Sequence, residues 1–358
     1  LGNGNGTFQG VTCIAVGATS YFVEFADITG DGKGDLITAT PLSAGLVVRV
    51  GNGNGTFGAI QSTATLRESN GIAVGDFNGD GINDVAAGYE SGEGTSIFLS
   101  NASGVLTSAG VVTTNNQPIP FIGDVNGDGK VDLVTAGTEG SGVNWIGVAR
   151  GNGNGTFSAV FTQLTGLGGT GFYPGEMTDL NGDGVLDLLL SSNSDAGAYR
   201  VLGNGNGTFG AAQALSTLDG GAYVAAGDFN GDGIKDTIAS ANGFFLGIQS
   251  VQPTRDTVSL LIQQPSGTAF SPVTFSAATG NEPDSAEFAD FNGDGKLDVV
   301  TNTPGNNTIN VMLGTGTGTF TGTLTLSTSF GTRDVEVVDL DGDGKLDILA
   351  TSASGDLV

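Results

Sequence analysis

Seven times the chain sets three aspartates within nine residues, in the pattern D-x-[N/T/D]-G-D-G-x-x-D. With the nine positions numbered as slots, slots 1, 5 and 9 are Asp27, Asp31 and Asp35; Asp76, Asp80 and Asp84; Asp124, Asp128 and Asp132; Asp179, Asp183 and Asp187; Asp228, Asp232 and Asp236; Asp290, Asp294 and Asp298; and Asp339, Asp343 and Asp347. Slot 3 holds Thr29, Asn78, Asn126, Asn181, Asn230, Asn292 and Asp341. Slot 7 holds Lys33, Ile82, Lys130, Val185, Ile234, Lys296 and Lys345, so what it shares is a backbone carbonyl. Slots 4 and 6 are always glycine, which tolerates the positive φ of a tightly curled loop. Slot 2 is always apolar and is expected to plug each loop into the core.

Hard oxygens at this spacing suit Ca²⁺, which takes about six to eight of them in a forgiving geometry; Mg²⁺ demands a stricter octahedron and keeps its waters. The expectation is one calcium per loop, about seven in all, held by the side chains of slots 1, 3, 5 and 9 and the carbonyl of slot 7. The loops contain 22 of the 37 acidic residues, and seven divalent ions would add 14 charges, taking the formal net charge from −26 to −12. These are not EF-hands: the twelfth position is Thr38, Ala87, Thr135, Leu190, Ala239, Thr301 or Ala350, never Glu, and the flanks read as strands.

The elements that must position these loops follow from a second repeat. G-N-G-N-G-T-F ends at Phe8, Phe57, Phe157 and Phe209, with a G-T-G-T-G-T-F version ending at Phe320. Decayed copies end at Leu106 and at Phe270, the latter beginning at Gln264. Acidic loops and Gly-Asn turns alternate, separated by short apolar runs, and Asn-Gly pairs between such runs are a strong hairpin signal. The acidic loops recur at intervals of 49, 48, 55, 49, 62 and 49 residues, which is a propeller-blade period. The fold expected is all-β: a single seven-bladed propeller over residues 1–358, built from four-stranded antiparallel blades. The phase places the turn missing after Asp347 at Leu1-Gly2-Asn3, so N- and C-terminal strands should share the last blade.

Composition narrows the chemistry. With no His and one Cys, Cys13, there is no Ser-His-Asp triad, no His-ligated zinc and no internal disulfide. The charge of −26 opposes nucleic acid and anionic lipid, and no apolar run is long enough to span a bilayer. The start at Leu1 is consistent with a mature form or an excised domain.

The run Asp76-Phe77-Asn78-Gly79-Asp80-Gly81-Ile82-Asn83-Asp84, preceded by Ala73-Val74-Gly75, resembles the FG-GAP/VCBS repeat. That repeat builds the seven-bladed propellers of integrin α subunits, related microbial surface proteins and some fungal lectins, and carries calcium between the first and second strands of a blade. The resemblance covers nearly the whole chain and implies an extracellular or cell-surface setting, as a monomer or part of a larger multidomain protein. Thr29 and the two decayed turns depart from the pattern.

Other residues are candidates for recognition. Longer connections in three consecutive blades, on the face expected to lie opposite the calcium loops, carry Asn144 and Trp145, Phe172 and Tyr173, and Phe244, Phe245, Arg255 and Asp256. These aromatics either form a surface for glycan or protein, or cap the core. Three residues before slot 1 stand Glu24, Ala73, Phe121, Glu176, Ala225, Glu287 and Glu336. The four glutamates should crowd near the axis, with pKa values raised by repulsion, with another cation, or paired with Arg or backbone amides. Asn5, Asn54, Asn101, Asn154, Asn206 and Asn306 begin N-x-[S/T] triplets, most of them at hairpin turns, and would be glycan acceptors in a eukaryotic secretory setting. The function expected is calcium-dependent, lectin-like or adhesive recognition without catalysis. The alternative is a carbohydrate-active lyase or hydrolase using axial carboxylates.

Overall fold

The computed structural model describes residues 1–17, 20, 22–40, 45–66, 68–89, 93–116, 119–138, 144–163, 172–192, 198–215, 223–240, 257–263, 270–276, 285–352 and 356–357. Strand β1 (Ile14–Ala15) is followed by a run of four, β2 (Phe22–Ala26), β3 (Asp35–Thr40), β4 (Gly45–Arg49) and β5 (Gln61–Ala64). The second run is β6 (Ser69–Gly75), β7 (Asp84–Tyr89), β8 (Glu93–Leu99) and β9 (Thr107–Asn116), and the third is β10 (Ile119–Gly123), β11 (Asp132–Thr138), β12 (Asn144–Ala149) and β13 (Phe161–Gln163). Next come β14 (Phe172–Thr178), β15 (Asp187–Ser192), β16 (Ala198–Val201) and β17 (Gln213–Ala214), then β18 (Tyr223–Gly227), β19 (Asp236–Ser240), β20 (Thr257–Gln263) and β21 (Phe270–Ser276). The sixth run is β22 (Ala286–Ala289), β23 (Asp298–Thr303), β24 (Thr308–Gly314) and β25 (Phe320–Ser327), and the chain ends with β26 (Thr332–Val338), β27 (Asp347–Ser352) and β28 (Asp356–Leu357).

Among the described residues these strands form seven four-stranded sheets, each a meander in chain order except the last, which runs β1-β28-β27-β26. All pairings are antiparallel, and the last sheet takes its outer strand from the N-terminus through Ile14↔Leu357 and Ala15↔Asp356. The innermost strands pack in a ring, β2 on β6, β6 on β10, β10 on β14, β14 on β18, β18 on β22, β22 on β26 and β26 back on β2. The fold is therefore an all-β propeller of four-stranded antiparallel blades, closed by its two termini.

The core lies between blades. The middle strands are covered on both faces, as in β7, where six consecutive residues are buried, and beyond the slot-9 aspartate that opens each second strand they are rich in apolar residues. Outer strands alternate instead, as β25 does. One cluster packs Ile37, Val48, Ile72 and Val85 from the first two blades around Ile28. No helix among the described residues is long and apolar enough to cross a membrane.

Candidate metal centre

Each acidic loop joins the innermost strand of its blade to the second, and curls around its slot-1 carboxylate. In all seven loops the slot-4 amide donates to one oxygen of slot 1, at 2.6–2.8 Å. The slot-6 amide donates to the other at 2.7–2.9 Å. Both slots need positive φ to aim those amides, with Gly30 at 74° and Gly32 at 81° in the first loop. Burial pushes the Asp27 carboxyl up, but the amides of Gly32, Gly30 and Thr29 and the Thr29 hydroxyl outweigh it, and its pKa is lowered. Asp124 and Asp179 are lowered in the same way. Slot 3 adds to the curl, Asn78 Oδ1 accepting the Asp80 amide at 2.8 Å, and slot 5 Asp80 Oδ1 accepts from the slot-7 amide of Ile82 at 2.9 Å.

Slot 9 has a role that its sequence reading as a ligand did not contain. One oxygen of Asp35 accepts the slot-2 amide of Ile28 at 2.9 Å, and the other accepts the amide of Gly51, the first glycine of the Gly-Asn turn, at 2.8 Å. The slot-2 bond recurs in every loop. So does the bond to the turn, at 2.6–2.9 Å from Ser100, Gly151, Gly203, Gln263, Gly314 and Gly2. The clue was the recurring 16-residue spacing from slot 9 to the turn. Gln263, not Gln264, fills the first turn position in the fifth blade, a one-residue correction to the sequence alignment: that turn pairs Gln263 with Phe270, one residue longer than Gly314 with Phe320. Burial raises slot 9, taking Asp84 and Asp236 to about 6.

Loops and turns share one face, as the alternation required, and they join neighbouring blades. Gly55 donates its amide to the slot-2 carbonyl of Leu340 in the preceding blade at 3.2 Å. Gly155 to Phe77, Gly207 to Val125, Gly318 to Phe229 and Gly6 to Phe291 repeat the bond at 2.8–3.1 Å. The decayed second turn replaces that amide with a hydroxyl, Ser100 Oγ donating to Ile28 O at 2.6 Å. Slot-2 side chains sit beneath: Phe77 meets Phe157 edge-on at 5.6 Å, and Phe291 meets Phe8 at 5.5 Å. In the turns, Asn54 Oδ1 accepts from the amide and hydroxyl of Thr56, so the N-x-T spacing serves the turn itself.

The donor set fits a divalent cation best in the last loop, where carboxylate oxygens of Asp339, Asp341 and Asp347 lie within 4.8 Å of one another. It is also the loop with a carboxylate at slot 3. A model of the FG-GAP-like repeat matches residues 27–87, 124–190, 179–239 and 290–350. The chain belongs to the FG-GAP-like repeat family. No curated protein matches in sequence. Similar solved structures include an Agrocybe aegerita lectin described as recognising non-reducing terminal N-acetylglucosamine, 19% identical at a TM-score of 0.61, covering 94% of this chain and 86% of that one. BBS1N, solved in complex with ARL6DN, is 11% identical at 0.62, covering 98% and 94%. The Vibrio cholerae biofilm matrix protein Bap1 is 13% identical at 0.50, covering 95% and 76%. At these identities the likeness speaks to the fold.

In this FG-GAP-like propeller the glutamates occupy equivalent register positions on innermost strands, Glu24 opposite Ile37, Glu176 opposite Leu189, Glu287 opposite Val300 and Glu336 opposite Leu349. Two accept the corresponding amide of the next blade: Glu336 Oε1 from Phe25 N at 3.0 Å, and Glu176 Oε2 from Ala226 N at 2.7 Å. Glu176 also faces Lys235 at 3.8 Å. Burial, then Asp334 and Glu287, push Glu24 up to about 8. Glu336 is raised by burial and by Glu24. Amide pairing and mutual repulsion therefore coexist.

Of the two readings of the opposite-face residues, surface or core, the described side chains bear on Asn144 and Trp145, and for these they give core. Trp145 and Asn144 open β12, and both are buried, Trp145 fully. Trp145 pairs with Gly137. A Cβ on Gly147 would come within 3.2 Å of the indole, so small residues make room for it. Phe172 and Tyr173 lie in β14, and their side chains fall outside the described residues. Phe244, Phe245, Arg255 and Asp256 also fall outside them.

Proposed function

We propose that this chain is a calcium-stabilised recognition module, acting outside the cell or at its surface on a glycan or protein ligand, and working by binding rather than catalysis. The observation that carries the reading is the sevenfold loop. Each one carries carboxylates at slots 1 and 5, an oxygen-bearing slot 3 and the slot-7 carbonyl on a backbone already curled by its own amides, and in the last loop the carboxylate oxygens of slots 1, 3 and 9 come within 4.8 Å of one another. Slot 9 retains a second lone pair on each oxygen after accepting its two backbone amides, except at Asp132, whose Oδ2 also accepts the Asn126 side-chain amide. When bound, calcium supplies charge neutralisation and cross-linking within the loop. The residues that would hold it are those of slots 1, 3, 5, 7 and 9.

The family and the lectin-like fold neighbour support recognition as the use of this scaffold, since a propeller hosts function in sites grafted onto it. The test has two arms. Added calcium should raise the melting temperature, and chelator should lower it, because an ion bound only by the folded state stabilises by mass action. A glycan array with and without calcium should then show calcium-dependent retention. A melting temperature indifferent to both additions would remove the metal from the reading.

A further inference from the structure

Among the described residues, β9 is the longest strand, ten residues against two to eight in the other outer strands. It pairs with β8 and stands at the outer edge of its sheet. Long bare edges invite pairing, and proteins commonly blunt them with lysine, proline or brevity. The outer strands β1, β5, β13 and β17 are short, and β21 carries Pro272. The β9 sequence, Thr-Ser-Ala-Gly-Val-Val-Thr-Thr-Asn-Asn, has neither charge nor proline, its pairing with β8 shifts register only toward its two ends and leaves Gly110 to Val112 in step, and Val111 is 40% exposed.

That edge flanks a groove of about 610 Å³ between this blade and the next. Residues 109–114 form one wall, and residues 155–160 with Thr162 form the other. Every lining residue is uncharged. One end abuts an acidic loop, since Gly155 donates to the Phe77 carbonyl and Phe157 packs on the Phe77 ring. Six residues of strand are about 20 Å long, enough for three side chains of an added strand to enter the groove.

We propose that the outer edge of β9 is a docking site for an extended segment of a partner protein, taken up as a fifth strand of this blade. Main-chain pairing would supply the affinity, and the groove would select small or β-branched residues on alternate positions. Charge complementarity selects a segment with lysine or arginine at its ends, because the chain carries −26 and the acidic loop of Asp76, Asp80 and Asp84 adjoins the groove. The edge adjoins the acidic loop of Asp76, so a cation bound there would weaken, not remove, the preference for lysine ends, since the chain as a whole stays acidic.

The probe is a peptide of alternating valine and threonine with lysines at both ends, compared with a glutamate-ended counterpart and with N-acetylglucosamine. Hydrogen exchange is read on the intact chain. The lysine-ended peptide should slow the amides of residues 109–113 by about tenfold or more, and the glutamate-ended one should bind about tenfold more weakly. The double variant Val111→Lys with Thr113→Lys, at two exposed positions, should abolish protection while leaving melting unchanged. If that variant fails to fold, exchange in the unmodified chain still decides. Protection absent, protection shared equally by β25, or protection by the sugar but not the peptide would each overturn the proposal.

Discussion

The acidic loops and the glutamates of the central ring both crowd carboxylates, and they end in opposite states. In the loops, burial is slight and backbone amides converge on each slot-1 carboxylate, so Asp27, Asp124 and Asp179 have lowered pKa values despite their acidic neighbours. At the seam between the last and first blades, Glu24 is half-buried near Asp334 and Glu287, and desolvation followed by their charges pushes it up to about 8. Slot 9 falls between: two amides each, yet deep enough that Asp84 and Asp236 rise to about 6. The number of amides aimed at a carboxylate, set against its burial, decides its charge more than the local density of acid does.

The largest expected effect breaks a loop from within. Asp187 is fully buried and accepts the amides of Leu180 at 3.0 Å and Gly203 at 2.8 Å. Asp187→Ala strands both donors, at about 1–3 kcal/mol each, so a loss of about 3 kcal/mol is expected in urea denaturation without calcium. Asp183→Ala, at an exposed slot 5, should cost about 0.5 kcal/mol under the same conditions. Equal losses would show that slot 9 is no more structural than slot 5.

The second test moves to the seam. A carboxyl whose pKa is raised in the folded state gives stability that is full below its unfolded value near 4.5 and is lost as pH rises through about 8. Stability should therefore decline between pH 5 and about pH 9. Glu24→Gln should flatten that decline and add on the order of 2 kcal/mol at pH 8. A melting temperature that climbs across this window in the unmodified chain would mean that the seam glutamates ionise freely.

Much of this contrast was legible in the sequence. The period, the alternation of loop and turn and the shared last blade are local, because each depends on glycine, asparagine and aspartate at fixed offsets. What escaped depended on partners far along the chain. The three residues inserted before Trp145 read as a loop, yet its strand continues opposite Gly137, and Gly147 leaves room for the indole. Slot 9 reads in sequence as a ligand only, because its second partner lies 16 residues away in the first blade. The extra turn residue at Gln263 could not be placed by counting, because the connection before it is the longest between a loop and its turn.

A third test sharpens the comparison among loops. Asp341 adds a carboxylate at slot 3, where Thr29 offers a hydroxyl that is already turned toward Asp27. More ligand charge means tighter calcium binding. Asp341→Asn should cost roughly tenfold in affinity at that loop, about 1.4 kcal/mol, and leave the other six unchanged. Titration under partial chelation should empty the Asp27 loop first and the Asp339 loop last. The reverse order would disconnect ligand charge from affinity here.

The smallest effect concerns the contact between blades. In five places a turn glycine amide donates to the slot-2 carbonyl of the preceding blade. In the second blade Gly104 spends its amide on Asn101, and the Ser100 hydroxyl reaches Ile28 instead. Ser100 is buried at 8% exposure, so water is a poor substitute for that donor. Ser100→Ala keeps the Ser100 amide bond to Asp84 and removes the bond to Ile28, and it should cost about 1 kcal/mol. The loss should be local: faster hydrogen exchange at the amides of residues 28–32, with the loops of distant blades unchanged. If exchange there is unaltered, the hydroxyl is a bystander and the first two blades are joined by apolar packing through Ile28, Leu106 and their neighbours together with the Asn83 side-chain amide donating to the Asp27 carbonyl.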